Sequence, residues 1–373
     1  MNRAWLRRGR FLILVALALA AAAMVASAAS SGQAVGHETY AVHNLVSDDP
    51  SIPADRHDPN LVNAWGITAG PMTPWWVADN ETDRSTLYNG DGVPQPPPPT
   101  GPLVVTVDGG PTGTVFNGTS GFVVSSGGAS GPARFLFASE DGVIRGWNPG
   151  VPPGPPTPSR TAVVAASTPD AIYKGLAIGS VGTSTFLYAT DFHHGQIDVF
   201  DSSFAPVTTM PFVDPGIPAG FAPFGIQNIG GTLFVTYAKQ DADAEDEVDA
   251  QSLGFVDMFA TDGTFLGRVA TRGQLDAPWG LAMAPADFGR FSGDLLVGNF
   301  GNGRINAYAQ AADGTWSHTG QLRTADHKPL TIDGLWGIGF GNGSGSGARN
   351  ALYFAAGPDD ESHGLFGRIT ASQ

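Results

Sequence analysis

A chain of 373 residues with 34 acidic against 19 basic side chains has a formal net charge of −15, and it contains no cysteine. Disulfides, zinc–thiolate sites and cysteine nucleophiles are thereby excluded, and the charge opposes binding to nucleic acid or to anionic membrane surfaces. With 51 glycines, 29 prolines and 14% charged residues, the composition is that of many short strands joined by tight turns.

Taken in chain order, the N-terminus stands apart. Arg3, Arg7, Arg8 and Arg10 precede an apolar run from Phe11 to Val25, followed by Ala26-Ser27-Ala28. Basic flank, apolar centre and small-residue cleavage site mark residues 1–28 as a secretory signal peptide and 29–37 as a short linker. The alternative is an uncleaved membrane anchor, for which the apolar run is short. Cleavage removes four arginines and no acid, so the mature net charge becomes about −19. The expected product is a periplasmic or extracellular monomer with no remaining membrane span.

From residue 38 to 373 one beat recurs, a glycine followed by an apolar residue. It falls at Gly66-Ile67, Gly121-Phe122, Gly175-Leu176, Gly225-Ile226, Gly280-Leu281 and Gly337-Ile338, at intervals of 55, 54, 50, 55 and 57 residues. Trp65, Phe224, Trp279 and Trp336 stand immediately before four of these glycines. A period of this length over nearly the whole chain signals a repeat architecture. Each beat is followed by a second apolar run, such as Trp75–Ala78, Phe135–Ala138 or Leu352–Ala355, and then by an alternating run such as Gln196–Phe200 or Phe255–Phe259. Most units add a fourth, such as Thr264–Ala270 or Trp316–Leu322. β-Branched and aromatic runs punctuated by Gly, Asp and Asn read as strands. The expected fold is therefore all-β, a six-bladed β-propeller with four-stranded blades. The last unit stops after its third run, whereas Thr39–Val46 has strand character ahead of the first. The N-terminal strand is expected to complete the sixth blade, so that deletion of residues 38–46 destabilises the ring.

Three stretches read as insertions. Pro94–Pro102 and Pro149–Pro158 are proline-rich surface loops. Asp241–Gly254 carries six acids and is either a solvated acidic loop or a calcium loop, although Asp246 and Ser252 stand where an EF-hand needs glycine and glutamate.

In an up-and-down blade, the start of the first strand and the end of the second meet near the channel. The second runs end at Asp79, Glu140, Asp191, Tyr237, Asn299 and Ala356, and Asn60, Asn63, Asp170, Asp276 and Asp333 lie near the first-strand starts. These positions nominate Asp79, Glu140, Asp191, Asn299 and Asn63 as oxygen ligands of a hard cation, calcium above all. Each could equally cap its own turn, since Asp and Asn at strand ends bond the local backbone. His193, His194 and His363 lie in turns on the same face and are candidate bases or metal ligands. Lys174 and Lys239 are placed to neutralise neighbouring acids. No Gly-x-Ser-x-Gly, His-Glu-x-x-His, P-loop or dinucleotide fingerprint occurs in the chain.

Longer motifs carry a resemblance. Asp58–Gly66, Pro74–Asn80, Thr236–Asp241 and Gly334–Gly337 resemble a family of exported bacterial conserved hypothetical proteins. The unit Trp279-Gly280-Leu281-Ala282, Leu296–Asn299 and Arg304–Tyr308 is similar to NHL repeats, and more distantly to gluconolactonase- and paraoxonase-type propellers. That second resemblance implies a channel calcium held by Glu, Asn and Asp, with Glu140, Asp191 and Asn299 of matching type. Two functions follow as expectations: a non-enzymatic module binding a small molecule or an extracellular or envelope protein at an acidic channel face, or a divalent-metal-dependent hydrolase of lactones or esters.

Overall fold

The computed structural model describes residues 39–372, so the signal and linker assignments lie outside the described residues. Six sheets stand around a central channel. Their innermost strands are Ala64–Thr68, Pro111–Phe116, Tyr173–Val181, Phe221–Ile229, Pro278–Met283 and Leu335–Phe340, and each blade runs outward from there by antiparallel neighbours. The chain is an all-β six-bladed propeller, as the periodicity predicts. Among the described residues, no helix is long and apolar enough to cross a membrane.

The sixth blade closes as expected. Tyr40–Ser47 pairs antiparallel with Leu365–Ala371, and Arg56–His57 adds a short parallel strand outside it. Closure removes an open edge between the first and last blades. The closing strand is also pinned to blade 5, because the Tyr40 hydroxyl donates to Phe288 O at 3.0 Å and accepts from the Phe291 N–H.

The recurring glycine has a steric cause. A Cβ added to Gly66, Gly113, Gly175, Gly225, Gly280 or Gly337 would stand no more than 2.8 Å from the backbone of the next inner strand round the ring. Gly337 meets the strand of Gly66, so the girdle closes on itself. At this waist the strands approach too closely for any side chain.

Two expectations are corrected. The second blade keeps the beat at Gly113, not Gly121. Gly121 precedes an inserted hairpin of Val123–Ser126 and Ala129–Pro132, and Phe122 turns at φ 56° into a core between blades. The third blade has three strands. Beyond Gln196–Asp201, only one antiparallel bridge, Phe200 with Pro206, touches its edge, held by the Val207 N–H on Val199 O at 2.8 Å and the Asp201 N–H on Ala205 O at 2.9 Å. Pro97–Pro99 and Pro155–Pro156 are exposed, as expected of surface excursions.

Candidate functional site

The second strands end at the upper face of the ring, and their side chains alternate with period two. Asp79, Asp191 and Asn299 close the strands Trp75–Asp79, Ser184–Asp191 and Leu295–Asn299, and all three are fully buried away from the channel. Asp79 accepts from the Thr86 hydroxyl at 3.2 Å, and burial pushes its carboxyl well above the usual range, with Asp58 adding to the rise. Asp191 receives the His194 backbone N–H at 3.2 Å and stands 2.6 Å from its Nδ1. Asn299 donates to Gln274 O at 2.8 Å and to Asn302 Oδ1 at 3.2 Å. Asp191 and Asn299 brace turns, and Asp79 bonds across to the neighbouring strand.

The residues one position further on face the mouth instead. Asn80, Glu140, Phe300 and Gly357 line a cavity of about 500 Å³ at the upper end of the channel. Sequence alignment of Glu140 with Asp79 and Asp191 is one residue out of register, and in a strand a slip of one exchanges the faces. Of the five nominated cation ligands, Glu140 and Asn63 therefore meet near the mouth while the other three do not. Among the described residues, no group of three or more His, Asp or Glu side chains is disposed to hold a metal.

Lys174 occupies the centre of this mouth. Its side chain is 2% exposed, and Nζ lies 2.6 Å from Glu140 Oε1 and 3.0 Å from Asp246 Oδ1. The ammonium also stands 5.3 Å from the centroid of the Trp65 ring, a contact worth about 2 kcal/mol when desolvated. Burial alone would lower the Lys174 pKa, but Glu140, Glu247 and Asp246 hold it above the ordinary lysine value. The chain of bonds continues outward: Asn80 Nδ2 donates to Glu140 Oε2 at 2.9 Å, and Asn63 Nδ2 donates to Asn80 Oδ1 at 3.3 Å. The expectation that Lys174 neutralises acids holds. Lys239 instead donates to Gly220 O at 3.0 Å.

Aromatic rings plug the channel beneath. Trp336 stacks on Trp65 at 3.6 Å and on Phe300 at 4.1 Å between centroids, and its edges meet Phe224 and Trp279. The aromatics that precede the glycines thus form a floor, with Trp336 Nε1 donating to Asn63 Oδ1 at 3.2 Å and Trp279 Nε1 to Lys174 O at 2.9 Å. Below it, a cavity of only about 30 Å³ remains at the glycine waist.

Eight carboxylates line the mouth: Glu81, Glu140, Asp246, Glu247, Asp249, Asp333, Asp360 and Glu361. Lys174 is the one basic residue among the lining side chains. Burial pushes Glu247 and Glu361 up to about 7; Lys174 opposes the rise in both, and neighbouring acids reinforce it. Three of the eight come from the acidic loop of blade 4. A short strand, Glu247–Val248, pairs with Lys239–Gln240 and folds that loop back, placing Asp246, Glu247 and Asp249 at the channel. The run of acids was visible in the sequence; its return toward Lys174 was not, because no local pattern encodes a contact across blades.

The histidines take other posts. His193 Nδ1 lies 3.2 Å from Ala244 O in the acidic loop, His194 pairs with Asp191, and His363 Nδ1 stands 2.9 Å from Asp48 Oδ2. The bond to Asp48 raises the His363 pKa. None of the three is among the side chains lining the mouth. A larger cavity of about 880 Å³ lies between the closing strand and blade 1. Its cation, Arg368, already bonds Asp91 at 3.0 Å and Gly90 O at 3.2 Å, and it lacks the mouth's concentration of charge.

The donor set does not fit calcium at the centre of the channel. Asp79, Asp191 and Asn299 are fully buried and do not line the cavity, and an ammonium stands between two of the carboxylates that do converge.

Comparison with known proteins shows kinship without a described activity. The uncharacterized protein L690 of Acanthamoeba polyphaga mimivirus is 32% identical over 348 residues, covering 90% of this chain and 87% of its own. The uncharacterized protein R648 of the same virus is 32% identical over 341 residues, covering 90% and 81%. These relatives are viral, where the motifs led to an expectation of bacterial ones. No protein-family model matches the chain. Among solved structures, a structural-genomics protein of unknown function from Bacteroides thetaiotaomicron aligns with TM-score 0.55 at 10% identity, over 89% of this chain and 76% of that one. A glucose dehydrogenase aligns with TM-score 0.50 at 13% identity, over 89% and 100%. A putative gluconolactonase aligns with TM-score 0.42 at 17% identity, over 64% and 74%. At these identities the likeness is one of fold alone.

Proposed function

This chain belongs to the same family as the mimivirus proteins L690 and R648, and we propose that it is an exported, non-enzymatic binding propeller whose acidic mouth takes a small positively charged ligand. The observation that carries this is the imbalance at the mouth: eight carboxylates and one lysine around a cavity of about 500 Å³. A concave site of one sign, walled by protein, concentrates counter-ions and ligands of the opposite sign. The carboxyls of Glu247 and Glu361, pushed up to about 7, are groups that a bound cation would return to their charged form. The aromatic plug gives the cavity a firm floor and separates it from the waist. Export rests on the order of arginines, apolar run and small residues in 1–28.

Isothermal titration with spermidine at fixed ionic strength tests the proposal. Binding is expected in the native chain, lost in the double variant Glu247→Gln/Glu361→Gln, and retained in Glu245→Gln on the exposed part of the same loop. Heat that survives the double variant would assign the cation to the general acidic surface and end the proposal. A lactone and ester screen with added calcium addresses the alternative of a metal-dependent hydrolase, and turnover there would replace binding as the function.

A further inference from the structure

We infer that the mouth selects an organic ammonium that also bears a hydroxyl or carbonyl oxygen, such as an amino sugar or amino alcohol, over a bare divalent metal ion, and that Lys174 sets this selection. The inference rests on the mouth being a cation site, and it adds the chemical class. Calcium requires six to eight converging oxygens. Glu140 and Asp246, which reach the centre, already hold the Lys174 ammonium at 2.6 and 3.0 Å. A dication placed between them would face the fixed positive charge that these two carboxylates already compensate. An ammonium on a carbon frame needs fewer acceptors, and it can sit beside Lys174 against the remaining acids, Glu247, Glu361, Asp333 and Asp360.

Two further features point to a carbon-framed ligand with an oxygen. Phe300 lines the cavity, is partly exposed and is stacked on Trp336, so it offers an aromatic surface of the kind that Lys174 already uses on Trp65. Trp65 also lines the cavity and is 2% exposed, yet its indole N–H has no hydrogen-bond partner among the described residues. Buried tryptophan N–H groups ordinarily find an acceptor. An oxygen on the bound molecule would supply one.

The test is isothermal titration of the full chain, at one ionic strength, with glucosamine hydrochloride, N-acetylglucosamine and calcium chloride. Glucosamine is expected to bind, with the uncharged N-acetyl form weaker by about tenfold or more and calcium giving no heat, since each lost charge-assisted bond removes roughly one decade of affinity. Trp65→Phe keeps an aromatic face while losing the N–H together with the five-membered ring, and is expected to weaken glucosamine by about tenfold. Lys174→Met is expected to gain calcium binding. If Lys174→Met does not fold, the three titrations of the native chain and of Trp65→Phe still decide. Calcium binding to the native chain while glucosamine is silent would overturn the inference and leave the cation mouth standing. Equal binding of the two sugars would overturn it by showing that charge is unused. Silence of glucosamine, calcium and spermidine together would remove the cation mouth itself.

Discussion

The waist of the channel and its mouth are built by the same six inner strands, yet they are opposites. At the waist, backbone meets backbone through glycines, and almost no space is left. One residue earlier along the same strands, Trp65, Phe224, Trp279 and Trp336 fill the axis with rings, and above them the cavity opens into carboxylates. The waist is a structural device that repeats because every blade needs it. The mouth does not repeat: Asn80, Glu140, Phe300 and Gly357 occupy equivalent places with different chemistry. Repetition marks what closes the ring, and departure from repetition marks where a ligand is read.

Perturbing each region separately tests this division, and the largest effect belongs to ring closure. Deleting residues 39–47 removes Tyr40, Leu45 and Val46 from the core along with the final strand pairing, and should unfold the ring or lower Tm by more than about 10 °C. A truncated protein that melts unchanged would show that closure lies elsewhere. Next comes the plug. Trp336→Ala takes out the ring that touches Trp65, Phe224, Trp279 and Phe300, and should cost about 4 kcal/mol in denaturant unfolding. The waist follows: Gly225→Ala drives a Cβ into Trp279 O and should cost about 3 kcal/mol. Gly118→Ala, where a Cβ would meet only Phe116 at 3.4 Å, should stay within about 0.5 kcal/mol. Equal effects from the two glycines would erase the waist as a distinct region.

The mouth should respond in the other direction. Glu361 is held at about 7 against an ordinary 4.5, so the folded state keeps a proton that the unfolded chain releases. Stability from this group is full below pH 4.5 and falls as pH rises toward 7. Glu361→Gln should therefore raise Tm at pH 8 and leave it nearly unchanged at pH 4.5. Melting curves with the opposite ranking would show that Glu361 is ion-paired rather than crowded.

How much of this was legible depends on the range of the signal. Strand runs and the glycine beat are local, so blade number and the closing strand could be read directly. The beat failed once, at Gly121, because an inserted hairpin carried its own Gly-Phe pair. Blade 3 lacks its fourth strand because the segment around Pro206 makes a single bridge and then leaves the edge, a departure that no local pattern marks. The candidate site was half legible: Glu140 and Asn63 were found, whereas Asp79, Asp191 and Asn299 were chosen one residue out of register. Sequence alone could not show that Asp246 and Glu247 return to Lys174, 72 residues away in the case of Asp246, since charge runs look alike whether solvated or folded inward.

The most direct test of the mouth as the binding site is a crystal structure of the protein grown with glucosamine. The sugar is expected between Phe300, Glu247 and Glu361, with its nitrogen on carboxylate oxygens and Lys174 still bonded to Glu140. A ligand found instead in the cavity beside Arg368 and Tyr353, with the mouth unchanged, would contradict it.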